Sequence, residues 1–135
     1  MNLSLTSDIH LSEDHDAAIG RVTAALKAEG FGVLTSIDLK AAFREKLGAE
    51  FKPYTILGAC NPPLAYRALG EEPLVGLMLP CNVTVEAGVA GGSIVRFIDP
   101  DAMLGVGALG ANPAMKEVAA DAKARLTRVA QALTT

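Results

Sequence analysis

The chain has 135 residues, 50% of them hydrophobic, 4% aromatic and none tryptophan, with a formal net charge of −3. That is the size of a single domain, residues 1–135, with one two-layer core. Dispersed charge without a basic block argues against nucleic acid, which needs a positive face and stacking rings, and the lack of a ~20-residue apolar run or a basic amphipathic helix argues against a membrane.

Leu3 and Leu5 alternate with polar neighbours and predict a short first strand. Ser12 or Asp14 then caps a helix in which Ile19, Val22 and Leu26 recur at helical spacing, with Gly30 as its left-handed stop. Gly20 inside that helix is read as a point of close packing on the sheet. Phe31 to Ile37 predicts a strand with Phe31, Val33, Thr35 and Ile37 on one face. Asp38 caps a short helix expected to bury Leu39, Phe43 and Leu47, and Gly48 ends it. Tyr54 to Cys60 is a third strand, followed by Asn61 as a cap and Pro62 at the first position of a brief helix ending at Gly70.

Val75, Leu77, Leu79, Cys81, Val83 and Val85 alternate and predict one long strand, in which Pro80 implies an edge position or a bulge. Gly88 and Gly91-Gly92 mark a hairpin, and Ser93 to Ile98 returns from it. Asp99-Pro100-Asp101 turns the chain out of the sheet, and a glycine-rich loop follows. Asn112-Pro113 opens a long last helix whose apolar stripe is Met115, Val118, Ala122, Leu126, Val129 and Leu133, with Asp121 and Arg125 one turn apart on another face.

Consecutive strands without long crossovers favour an antiparallel sheet, and two long helices with one stripe each cover one face of it. The fold class is therefore α+β, two layers, in β-α-β(4)-α order. Leu34, Leu57, Ala59, Leu74 and Met78 are assigned to the other face, for which a second subunit is the simplest cover.

The run Tyr54-Thr55-Ile56-Leu57-Gly58-Ala59-Cys60-Asn61-Pro62, then Leu79-Pro80-Cys81-Asn82-Val83 and Asp99-Pro100, closely resembles the bacterial and archaeal family known as domain of unknown function 302; Glu29-Gly30-Phe31-Gly32-Val33-Leu34 resembles it too. The resemblance implies a fold similar to that of the TATA-binding protein, and homodimers. It implies no activity.

The candidate ligand or thiol site comprises Cys60, Asn61, Cys81, Asn82 and Asp99. Cys60 stands at the mouth of a helix, whose positive end would depress a thiol pKa, although Pro62 and Pro63 remove two of the N–H groups there. As a bland alternative, Cys60 is a small apolar residue at a strand–helix junction and Cys81 a core residue. With neighbouring antiparallel strands, Cys60 is expected opposite Leu74 or Val75, which leaves Cys81 roughly 20 Å away, beyond reach of a disulfide or a shared metal.

His10 and His15 lack metal-ligand spacing and read as surface or capping residues. Gly105-Val106-Gly107-Ala108-Leu109-Gly110 matches G-x-G-x-x-G without the strands a dinucleotide site needs. Asp99 and Asp101 read as turn chemistry before carboxylate chemistry. No Ser-His-Asp arrangement or other catalytic motif is visible, and no cofactor or metal is expected.

The leading expectation is a small homodimeric binding or interaction domain with room for a small-molecule ligand. The alternative is a thiol-based redox or sulfur-handling protein using Cys60. Two cysteines with no basic, apolar leader in Met1 to Thr6 fit a reduced protein of the cytoplasm.

Overall fold

The computed structural model describes residues 7–134. Five strands, β1 (Ile9–Leu11), β2 (Gly32–Asp38), β3 (Tyr54–Cys60), β4 (Cys81–Ala87) and β5 (Ser93–Phe97), form one sheet in the order β1-β5-β4-β3-β2. Every neighbouring pair is antiparallel. From β1 at one edge, helix α1 (His15–Ala28) carries the chain to β2 at the other edge, and the later strands meander back until β5 lies beside β1. Short helices α2 (Leu39–Leu47) and α3 (Pro62–Glu71) interrupt the meander, and α4 (Pro100–Leu104) and the long α5 (Pro113–Leu133) close it. This is the expected α+β architecture. The strand expected at Leu3 and Leu5 lies outside the described residues, and the first described strand is β1.

Local chemistry sets the helix starts. Side-chain oxygens of Asp14, Asp38, Asn61 and Asn112 accept from the backbone N–H of Ala17, Ala41, Leu64 and Ala114 at 2.9, 3.0, 3.3 and 2.9 Å. Each satisfies one donor that a helix N-terminus leaves without an internal partner. α3 and α5 begin with proline, whose missing N–H costs nothing at that position.

Strand pairing aligns side chains in rows. Leu57, Val83 and Phe97 form one row, and Val85, Val95 and Ile9 the next. Both are buried against Val22 and Leu26 of α1 and Leu126, Val129 and Leu133 of α5. The opposite face carries Ile56, Thr84 and Arg96 in one row and Tyr54, Glu86, Ile94 and His10 in another. A second apolar cluster fills the end of the sheet, where Ala68 of α3, Val75, Cys81, Met103 and Leu104 of α4, and Met115 and Val118 of α5 meet.

Several expectations are corrected. Residues Pro73–Met78 form a 3-10 helix in place of strand, begun by the Glu72 carboxylate accepting from Leu74 N–H at 3.3 Å, and only Val75 of it is buried. β4 starts at Cys81 and lies between β3 and β5, so Pro80 precedes an interior strand. Leu57 and Ala59 face the helices, whereas Leu34 and Leu74 are exposed. A bulge between Val33 and Thr35 splits β2, so that Val33 pairs with Ala59 on the helix side and Thr35 with Gly58 on the open side. α2 buries none of its residues, and Leu47 is 73% exposed. Gly20 faces open space. Asp99-Pro100-Asp101 starts α4 instead of a plain turn, and the glycine-rich stretch contains a 3-10 helix, Gly107–Ala111.

Gly58 is required by crowding. A Cβ there would lie 2.8 Å from Pro80 Cγ and still closer to Thr35 Oγ1. Gly58→Ala is expected to destabilise the fold by about 1–3 kcal/mol, as overpacking does. Urea unfolding measures this, and an unchanged midpoint would show that Thr35 and Pro80 yield freely.

Candidate functional site

The end of the sheet at which β3 stops and β4 begins gathers part of the predicted site. Cys81 pairs with Ala59, so Cys60 lies one residue beyond the partner of Cys81. The roughly 20 Å separation is thereby overturned. Its premise was a strand running back through Val75, and the 3-10 helix takes up those residues instead. Both cysteines are free thiols.

Cys60, Asn61 and Cys81 line one small cavity of about 30 Å³, together with Leu64 and Ala65 of α3, Leu79 and Pro80, Met103 and Leu104, and Val118 and Ala122 of α5. Its walls are almost wholly apolar. Asn61 is buried, and its side chain is committed at both ends: Oδ1 accepts from Leu64 N–H, and Nδ2 donates to the Glu29 carbonyl at 3.4 Å. The same carbonyl accepts from Arg125 at 3.2 Å, so Asn61 and Arg125 tie the end of α1 to α3 and α5.

Asn82 and Asp99 do not join them. Asn82 pairs with Gly58 and is exposed on the open face. Asp99 caps α4, accepting from Asp101 N–H at 3.0 Å, and lies 3.5 Å from Lys123. Met103, on the helix that Asp99 starts, reaches the cavity and was missed. Asp99 followed by Pro100 is a legible helix start, and reading it so would have brought Met103 inward.

The surroundings of both thiols oppose ionisation. Burial pushes the Cys60 thiol above its ordinary value. Burial, and then the neighbouring Cys60, push Cys81 up to about 11. The expected depression at the α3 mouth is therefore overturned. Desolvation opposes the thiolate, and Pro62 and Pro63 withhold the N–H groups that would offset it.

Elsewhere, His15 Nδ1 lies 3.0 Å from Asp16 Oδ1, and His15 Nε2 lies 2.9 Å from Thr55 Oγ1. This acid–imidazole–hydroxyl chain was not visible in the sequence because Thr55 is 40 residues away. Its exposure runs opposite to a nucleophilic triad, with the hydroxyl buried and the carboxylate in solvent. It satisfies a buried hydroxyl. Among the described residues, no three His, Cys, Asp or Glu side chains converge as a metal cluster, and no helix is long and apolar enough to cross a membrane.

Fold and site define a two-layer α+β domain with both of its cysteines at one end of the sheet. Residues 8–133 match the model of the family described as domain of unknown function DUF302, and the chain belongs to that family. The crystal structure of an uncharacterised conserved DUF302 protein from Bacillus stearothermophilus is similar, with 34% identity and a TM-score of 0.81 over 94% of this chain and 96% of that one. No curated protein matches the chain.

Proposed function

We propose that this protein is a homodimeric interaction domain whose contact surface is built from β2 and α2. The observation that carries the reading is the exposure of these two consecutive elements. β2 is a seven-residue edge strand with no residue fully buried, and α2 has none either. An edge of that length offers unpaired N–H and C=O groups, while the opposite edge, β1, is only three residues long. Leu34 is 68% exposed, and Ile37, Leu47 and Phe51 are exposed nearby in sequence. Phe51 also stacks edge-on with Phe43 at 5.2 Å and lies 6.3 Å from Tyr54, which joins α2 to β3 through aromatic rings. Apolar groups exposed on two consecutive elements would be covered by a self-complementary contact with a second copy.

A small organic ligand does not fit the 30 Å³ cavity by Cys60, which has the volume of about one or two water molecules. A ligand would need a surface hollow, such as the 460 Å³ groove beside Leu74, Leu77 and Val106. The free thiols suit a reducing compartment such as the cytoplasm.

Sedimentation equilibrium tests the dimer. The unmodified chain is expected to be dimeric at micromolar concentration. Leu47→Lys is expected to raise the dissociation constant about 30-fold, the ~2 kcal/mol of a central contact. A monomer at that concentration would refute the reading.

A further inference from the structure

We propose that Cys60, Cys81 and Met103 form a binding site for one soft monovalent metal ion of the Cu(I) or Ag(I) kind. Three sulfur-bearing side chains line a single cavity of about 30 Å³. They arrive from three separate elements: the end of β3, the start of β4 and the helix α4. The cavity is too small for an organic ligand and too apolar to retain water, which needs two to four polar partners. A bare ion of low hydration demand suits both its size and its walls.

The donor chemistry is selective. No carboxylate or imidazole lines the cavity, and the one amide there, Asn61, is already occupied at both ends. Hard ions such as Mg(II) or Ca(II) take oxygen ligands and find no side chain to provide them. Thiolate and thioether sulfur prefer Cu(I) and its congeners. Binding replaces two S–H bonds by two metal–sulfur bonds and releases two protons to solvent, with the thioether neutral and the ion's oxidation state unchanged. The resulting complex carries a single negative charge, one fewer than two bare thiolates would carry in the same cavity. This site is independent of the dimer surface, since none of its three residues belongs to β2 or α2.

The test is an anaerobic titration of the reduced, full-length protein with Ag(I), and with Cu(I) in competition with a chromophoric chelator. One equivalent is expected to bind, with a sulfur-to-metal absorption band in the near ultraviolet. Cys60→Ser removes a direct ligand and is expected to weaken binding by more than about 100-fold, beyond the roughly 10- to 100-fold that losing an outer supporting group costs, and the volume-conserving Met103→Leu by about 10-fold. Met78→Leu, in the same apolar cluster but outside the cavity, is expected to leave affinity unchanged. Metal-free Met103→Leu should keep the parent's circular dichroism and melting temperature, so that its loss of affinity reports ligation and not folding. Absence of competitive binding, or equal affinity in the parent, Cys60→Ser and Met103→Leu, would overturn the site.

Discussion

Leu126→Ala is expected to destabilise the protein by about 2–5 kcal/mol, the range for truncating a buried leucine. Leu126 is fully buried at the centre of α5, in the cluster that includes Val22 and Leu26 of α1 and Leu57 of β3. The upper half of that range is expected because the site cannot collapse. α5 is held at its start by Met115 and Val118 in one cluster and at its end by Val129 and Leu133 in another, so the helix cannot settle into the gap. Leu77→Ala is the control. Leu77 is 82% exposed, and its truncation is expected to change stability by no more than about 0.5 kcal/mol. Urea unfolding of both variants reads the difference, and similar losses would show that α5 is not anchored at both ends.

What the sequence made legible was local. Each helix cap is a short polar side chain two or three residues from the N–H it accepts, and Asp14, Asp38, Asn61 and Asn112 could all be read from order alone. The stripe of α5 was equally plain, because Met115, Val118, Ala122, Leu126, Val129 and Leu133 repeat at helical spacing and are all buried. What failed needed information from elsewhere in the fold. Val75, Leu77 and Leu79 alternate as a strand would, yet Pro73 and the Glu72 cap direct Val75 and Leu77 into a 3-10 helix that ends before Leu79. That one misreading also slipped the register, and with it the distance between the cysteines. The bulge at Leu34 then reversed the faces of Thr35 and Ile37, since a single inserted residue exchanges the two sides of everything after it. Of the predicted site, Cys60, Asn61 and Cys81 come together because they flank the paired ends of β3 and β4. Asn82 fails to join because it is the next residue after Cys81 on a strand and faces the other way.

The ionic group on the open face yields the second large effect. Glu86 has only 6% of its side chain exposed and is paired with both Lys52 and Arg96, and Arg96 also holds Asp8 at 2.7 Å. These partners lie 34, 10 and 88 residues apart in the chain, so no local pattern announces them. Arg96→Met keeps an unbranched stem and removes the charge. It is expected to cost about 2 kcal/mol at pH 7, between an exposed pair and a buried one, because Arg96 is one-third exposed and Lys52 still faces the carboxylate. The pH dependence separates charge from packing. Burial pushes the Glu86 carboxyl up, but Lys52 and Arg96 outweigh it and leave it below its ordinary value of 4.5. A carboxyl depressed in the fold contributes stability that is present above its unfolded value and lost as pH falls through the folded one. In Arg96→Met the burial effect gains ground, Glu86 binds a proton more readily, and the missing guanidinium matters less once that proton is on. The gap between parent and variant is therefore expected to be full at neutral pH and to narrow below about pH 4.5. Urea unfolding at pH 7 and pH 3 measures it. A gap that stays constant between the two would mean that the arginine stem, and not its charge, supports the open face.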